Sequence, residues 1–366
     1  MPAYQPINIQ PKRILVITLR YLGDTLLVTP LLSSLQQAYP DAEIDVLLPS
    51  SNTAMLEGNP DINHLITVPA KIKAIEFCKL LFSLYKRYDL AISTQAGDRP
   101  SLIAITAGKA SIGFVPDDNA KAWWKKLLLT RSLVFSSDYG HAVLENLRFC
   151  QLLNIKPCYR LTAPSATTPL ASLPMQPYVV LHIMPQWRFK QWHSEGWRQL
   201  IAFLTAQGYG IVLTGSGQAA ELQALQDLNL PTDVINLAGQ LSLAQLSELI
   251  GKAAFFLGPD TGITHLAAAT GTLTFALFGP TDPAKWAPWP VGYQSDKPPF
   301  ASRGSGLVNN VYLIQGQTKE TCLPCQLEGC NRHRNSHSQC LDDLTADRVI
   351  EFISDTIDYT QPGISG

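Results

Sequence analysis

Apolar and polar positions along the chain alternate between two rhythms. Arg13-Ile-Leu-Val-Ile-Thr-Leu19 is a short run rich in β-branched residues, as a strand buried on both faces requires. A loop with Gly23 follows, and from Asp24-Thr25 the apolar residues recur at helical spacing to about Tyr39. The same alternation continues: a strand at Ile44–Leu48, a helix after Ser51, a strand at Leu65–Val68, a helix from Lys71 to Tyr85, a strand at Leu90–Ser93 and a helix at His141–Leu153. Strands separated by helices predict a parallel sheet covered on both faces.

Between Leu161 and Tyr178 the prolines 164, 169, 174 and 177 stand among Ser, Thr and Ala, a composition that continues neither element and reads as a linker. Beyond it the pattern starts again. Strands are expected at Tyr178–Ile183, Ile211–Thr214, Val234–Asn236, Ala254–Leu257 and Leu273–Leu277. The helices between them run over Ser194–Ala206, Ala219–Asp227, Leu243–Lys252 and Thr261–Thr270. The expected organisation is a Rossmann-like domain over 1–163, a linker over 164–177, a second Rossmann-like domain over 178–344 with a Cys-rich segment at 322–340, and a C-terminal helix and tail over 345–366. Two doubly wound α/β domains with their strand ends toward a central cleft place the chemistry on the loops after strands. Those loops are Arg20–Asp24, His182–Trp192, Gly215–Glu221 and Gly258–His265.

Length and composition agree with two cores, at 366 residues, 46% hydrophobic and 16% charged. Met1–Arg13 holds three prolines and no apolar run, and no later stretch reaches the roughly 18 apolar residues of a membrane span, so a cytoplasmic protein is expected. The net charge of −1 hides an asymmetry: residues 1–165 carry 17 Lys and Arg against 13 Asp and Glu, the remainder 11 against 16. A basic half suits a phosphorylated or membrane-surface partner, and equally an ordinary solvated surface.

Gly258-Pro-Asp-Thr-Gly-Ile-Thr-His265 follows an apolar strand and opens a helix, so the backbone amides of Thr261 and Gly262 and the helix dipole suit a phosphate. Asp260 reads equally well as an N-cap and His265 as a core histidine. Gly279-Pro-Thr-Asp-Pro283 adds a second loop at the same sheet edge. Lys190, in Lys-Gln-Trp192, supplies a cation for the charge that develops on a departing diphosphate, while Trp192 and Trp197 also fit a plain core. Asp24, behind Leu22-Gly23, stands at a helix N-terminus as a candidate general base or simply a cap. Arg20 and Gly23 in that loop are candidate acceptor contacts, and Gly215 a candidate donor contact. No Asp-x-Asp pair follows a strand, as a magnesium-dependent transferase would need, and no strand runs into Gly-x-Gly-x-x-Gly, which sets a nucleotide-dependent oxidoreductase aside.

Taken in order, Gly23-Asp24 with Thr29-Pro30, Lys190-x-Trp192, Asp260-Thr-Gly-x-x-His265 and Gly279-Pro-Thr-x-Pro283 resemble the signatures of glycosyltransferase family 9, the heptosyltransferases, and the resemblance spans nearly the whole chain. It implies a GT-B fold and an inverting, metal-independent transfer of heptose from ADP-heptose to the lipid A-linked inner core of lipopolysaccharide, with peripheral contact at the cytoplasmic face of the inner membrane and no nucleic acid partner. By the same resemblance Asp24 is the base, Lys190 the diphosphate partner, and Asp260, Thr261, Gly262 and His265 contact the donor. Other readings are a family member using another nucleotide sugar for a surface polysaccharide, a sugar-nucleotide epimerase of the same architecture, and a non-catalytic binding module.

Cys322, Cys325, Cys330 and Cys340, with His333 and His337 inside the span, allow a structural zinc site, although cytosolic thiols need bind nothing. A comparable Cys-rich tail is similar to that of the subgroup adding a third, branching heptose. Lys121-Ala-Trp-Trp-Lys-Lys126 with Arg131 mixes aromatic and basic residues as an interfacial patch does, or as any amphipathic helix does. His141 and Glu145 resemble a helix of the family and carry no assigned chemistry.

Overall fold

The computed structural model describes residues 6–360 except 70, 137–139, 166–169, 171, 173, 176 and 319–321, and not the side chains of 358–360. The chain divides into two compact units, residues 1–165 with 294–297, and residues 166–293 with 298–366. Much of the expected linker, at 166–169, 171, 173 and 176, lies outside the described residues.

The first unit contains β1 (Arg13–Ile17), α1 (Leu22–Leu26), α2 (Thr29–Ala38), β2 (Glu43–Pro49), β3 (His64–Val68), α3 (Ala74–Leu84), β4 (Tyr88–Ser93), α4 (Asp98–Ala107), β5 (Gly108–Val115), α5 (Asn119–Leu128), β6 (Arg131–Val134) and α6 (Ala142–Leu153). Its sheet has the order β3-β2-β1-β4-β5-β6 with every pairing parallel. The order reverses direction between β1 and β4, the switch point at which open α/β sheets bind ligands. Right-handed crossovers put α3, α4 and α5, which all step the same way across the sheet, on one face. Leu15, Ile17, Ala91 and Val115 of the strands are buried there with Ile103, Ala104 and Ala122 of the helices.

The helix expected from Asp24 to Tyr39 is two. Pro30 sits in the first turn of α2 and cannot donate to the turn before it, so Leu27 and Val28 separate α1 from α2. The elements α4, β5 and β6, absent from the sequence reading, complete the sheet. Gly108 and Gly113 in β5, with the short β6, dilute the apolar signal that a buried strand normally shows.

The second unit contains β7 (Tyr178–His182), α7 (Ser194–Ala206), β8 (Gly210–Thr214), α8 (Ala219–Gln226), β9 (Ile235–Asn236), α9 (Leu243–Gly251), β10 (Phe255–Pro259), α10 (Gly262–Ala269), β11 (Thr274–Phe278), α11 (Pro283–Trp286), β12 (Gly306–Val308), β13 (Val311–Gln315), α12 (Gln339–Asp342) and α13 (Ala346–Thr360). Its order, β12-β13-β11-β10-β7-β8-β9, repeats the first sheet and adds an antiparallel edge strand, β12. The switch point falls between β7 and β10. The C-terminal helix, set apart in the sequence reading, belongs to this core: Val349 and Ile353 of α13 are buried with Trp197, Leu200 and Leu204. Trp192 and Trp197 are core aromatics, ring centroids 5.1 Å apart, and truncating either costs about 3–5 kcal/mol. Among the described residues no helix is long and apolar enough to cross a membrane.

Candidate active site

β7 and β10 end side by side, and each loop that follows presents one charged group to the other. Lys190 closes a 3-10 turn, Arg188–Lys190, whose backbone amide bonds back to Trp187 O at 3.0 Å. Its Nζ lies 2.6 Å from Asp260 Oδ2, with only 16% and 6% of the two side chains exposed. The ammonium also stands 5.2 Å from the Trp187 ring centroid and 5.9 Å from that of Phe189. A cation held among aromatic rings and a buried carboxylate has lost much of its water, so its field reaches a nearby anion at low effective dielectric.

Asp260 is not the cap of the next helix. That role falls to Thr261, whose hydroxyl accepts from the Thr264 amide, while the Thr264 hydroxyl donates to Pro259 O at 2.5 Å. α10 therefore begins at Gly262, and its first-turn amides point out of the helix with the positive end of the dipole behind them. His265, one turn in, is buried beside Lys190 and Asp260. Burial pushes its pKa down to about 4 against the opposing pull of Asp260, so the imidazole is neutral, and Nδ1 has no hydrogen-bond partner among the described residues. His182, at the end of β7, is also buried and pushed down to about 4, its Nδ1 3.3 Å from Thr214 Oγ1.

Gly215 follows β8, one strand further along. The Ser216 amide donates to Glu221 at 2.7 Å and the Ser216 hydroxyl bonds the same carboxylate. Gly217, at φ +76°, is in the left-handed region, and a Cβ there would meet the Gly239 backbone at 2.5 Å, so only glycine lets these two loops touch.

In the first unit Asp24 is the third residue of α1 and not its cap; Tyr21 precedes the helix without a side-chain cap. The Asp24 carboxylate lies 3.8 Å from the Arg20 guanidinium, which also covers the Phe135 ring at 5.5 Å. Asn52 holds this loop in shape: buried after β2, its amide donates to Arg20 O at 2.8 Å and to Thr25 Oγ1 at 2.9 Å. Gly23 contributes its carbonyl to the Leu27 amide at the end of α1.

Asn52, His182, Trp187 and Thr264 escaped the sequence reading. Asn52 had a signal, a polar residue just beyond the end of an apolar strand. The role of His182 depends on β8 lying beside β7, which sequence order does not reveal, while Thr264 closes a local turn onto Pro259 that only the backbone shows. His141 caps α6, accepting from the Val143 amide, and Glu145 pairs with Arg148 at 2.6 Å; both are structural.

The zinc expectation is not supported. Among the described residues no group of three or more His, Cys, Asp or Glu side chains is placed to hold a metal ion. Burial pushes the Cys340 thiol up to about 12, with Cys325, Cys330 and Cys322 adding to the rise. The segment and the residues just after it brace the Lys190 loop. Ser338 Oγ donates to Phe189 O at 2.6 Å, the Arg334 guanidinium lies 5.1 Å from the Trp187 ring centroid, and Trp192 Nε1 donates to Leu344 O at 2.7 Å.

Comparison with known proteins matches residues 78–295 to glycosyltransferase family 9 (heptosyltransferase). Lipopolysaccharide heptosyltransferase 3 of Escherichia coli is 31% identical over 74% of this chain and 84% of that protein. The chain belongs to glycosyltransferase family 9. It is a glycosyltransferase, and its fold class is GT-B, as in two solved relatives. A glycosyl transferase family 9 structure from Veillonella parvula superposes with TM-score 0.75 at 18% identity, over 98% of this chain and 100% of that one. E. coli ADP-heptose lps heptosyltransferase II superposes with TM-score 0.71 at 22% identity, over 94% and 98%.

Proposed function

We propose that this enzyme transfers heptose from ADP-heptose to the lipid-linked inner core of lipopolysaccharide, inverting the anomeric centre in one displacement. The observation that carries the reading is the Lys190–Asp260 pair at the switch point of the second sheet, next to the open first turn of α10. Lys190 supplies the charge that the departing diphosphate requires, and the amides of Gly262 and Ile263 receive its oxygens. Asp260 fixes the ammonium, and neutral His265 lines the same wall. Asp24 takes the proton from the acceptor hydroxyl as it attacks C1, and Arg20 and Gly23 border the acceptor. Lys190 and α10 meet the leaving charge without a metal ion, and the Cys-rich segment braces the Lys190 loop. Membership of the family, the 31% identical E. coli relative and the ADP-heptose named for the solved E. coli enzyme support this choice of donor and acceptor. A lipid-linked acceptor implies work at the cytoplasmic face of the inner membrane, with the protein bound peripherally.

The test is release of ADP from ADP-heptose with heptose-deficient core lipid and no added metal, for wild type and Asp24→Ala. Release that needs acceptor and falls by about 100-fold or more in the variant is expected, the size of a general-base contribution. Turnover with a different nucleotide sugar, and none with ADP-heptose, would discard the substrate and keep the mechanism. Hydrolysis or epimerisation of donor without acceptor would discard the transfer.

A further inference from the structure

The face of the first unit built from α3, α4 and α5 carries an unusual outer surface. On α5 the residues Ala122, Lys125 and Leu129 form the inner side, with Lys125 only 2% exposed and bonded to Ala96 O at 2.7 Å and Asp98 at 2.7 Å. The side away from them points outward and holds Trp123 and Leu127, with Lys126 and Leu128 exposed at its flanks. On α3 the outer stripe is Ile75, Lys79 and Phe82 at helical spacing, continued by Tyr85. Ile75, Phe82, Tyr85, Trp123, Leu127 and Leu128 are between 52% and 85% exposed, and all stand on the helical layer of one sheet face. Scattered exposed apolar residues need no explanation, but six large ones on one helical layer do.

Their setting is basic. Residues 71–131 hold eleven Lys and Arg against five Asp and Glu, a balance of +6 inside a chain of net −1. Lys71, Lys79, Lys121 and Lys126 are all exposed, and Arg99 on α4 spans toward α3 over the Phe77 ring at 6.0 Å. Most of the acids are already engaged: Glu76 caps α3, Asp118 caps α5 and pairs with Lys121 at 3.3 Å, and Asp98 serves buried Lys125.

We propose that this α3–α5 face docks on an anionic lipid bilayer, with Phe82, Trp123 and Leu127 entering the interfacial layer and the lysines meeting lipid phosphates. Aromatic and leucine tips among long basic side chains are the composition of a segment lying in a membrane surface. A second copy of the chain is disfavoured by charge, since a two-fold contact sets this positive surface against itself. The proposal deepens the functional reading and rests on it in one respect: a lipid-linked acceptor gives the enzyme reason to sit on a bilayer.

The experiment is co-sedimentation of the full chain with vesicles of phosphatidylglycerol and phosphatidylcholine, and with phosphatidylcholine alone. Wild type, Phe82→Ser/Trp123→Ser/Leu127→Ser and Lys79→Glu/Lys126→Glu are compared, with urea midpoints as the folding check and transfer to a water-soluble, lipid-free core oligosaccharide measured in parallel. Wild type is expected to sediment with the anionic vesicles and to be released by salt. Each variant should partition about tenfold or more weakly while keeping its midpoint and its transfer to the soluble acceptor. Unchanged partition of the variants overturns the proposal. So does equal binding to the neutral vesicles, or a wild-type dimer that the same substitutions dissociate. Vesicle binding without transfer to any acceptor would keep the docking face and remove the functional reading; transfer without vesicle binding would do the reverse.

Discussion

The two loops assigned opposite ends of the reaction are built to different standards. The loop after β1 presents Asp24 on a helix of five residues, with a partner at 3.8 Å that is itself 42% exposed. The loops after β7 and β10 close on each other through a 2.6 Å ion pair that is almost buried and is braced from behind by Ser338, Arg334 and Leu344. The Arg20 pair is the looser of the two contacts, although Asp24 itself, at 19% exposed, is hardly more open than Lys190 at 16%. A cationic wall for a diphosphate gains from rigidity, because its charge must already be in place when the bond breaks. On the proposed roles, the second unit relies on packing and the first on a looser loop.

Substitutions at the rigid pair should have the largest effect. Asp260→Ala leaves the Lys190 ammonium among aromatic rings without a counter-charge, and stability should fall by about 3–5 kcal/mol together with transfer. The double variant Lys190→Met/Asp260→Leu should recover most of that stability in urea unfolding while transfer stays lost. Recovery of transfer in the double variant would show the pair to be only structural. Asp24→Ala is the contrasting case: its 3.8 Å pair with Arg20, which is 42% exposed, contributes about 1 kcal/mol or less, so the unfolding curves should move far less than for Asp260→Ala.

Two buried histidines, His182 and His265, make the second unit sensitive to pH. His182 and His265 titrate near 4 in the folded enzyme and near 6.5 once unfolded. The unfolded chain therefore takes up these protons first. Stability is at its full value above about 6.5 and declines as the pH falls toward 4, by on the order of 1–2 kcal/mol per histidine at pH 5. Unfolding free energies measured at pH 7 and pH 5 should show this slope, and His265→Asn should flatten part of it. A slope unchanged in the variant would put the proton uptake elsewhere.

Asn52→Ala should have the smallest effect on transfer. It removes both amide bonds to the Asp24 loop and should cost about 1–2 kcal/mol. Transfer should fall by about tenfold through a loosened loop, with donor KM unchanged. A change in donor KM instead would contradict the division of labour between the two loops.

Much of this was legible in the chain. The alternation of apolar runs and helical spacing marked most strands, and the glycine and proline loops after them held Asp24, Lys190 and Asp260–His265. β5 and β6 are not legible, because glycines and short length break the apolar signal. The cap of α10 is not legible either: Asp and Thr side by side at 260 and 261 are both good N-caps, and only the backbone shows that Thr261 does the capping. The Cys-rich segment is a related case: cysteine spacing suggests ligands, but the bracing of the Lys190 loop by Ser338 and Arg334 follows from what the segment packs against.

What the sequence determined by itself was the class of each element, because periodicity and local chemistry are properties of neighbours along the chain. It determined the ordered signatures of the family as well. Only the tertiary structure decided that β7 lies beside β10, and with that adjacency that Lys190 and Asp260, seventy positions apart, form one buried pair. It decided too that the apolar residues of α3 and α5 face outward on one layer. Strand order and helix facing follow from which surfaces can be buried together, and that depends on every segment at once.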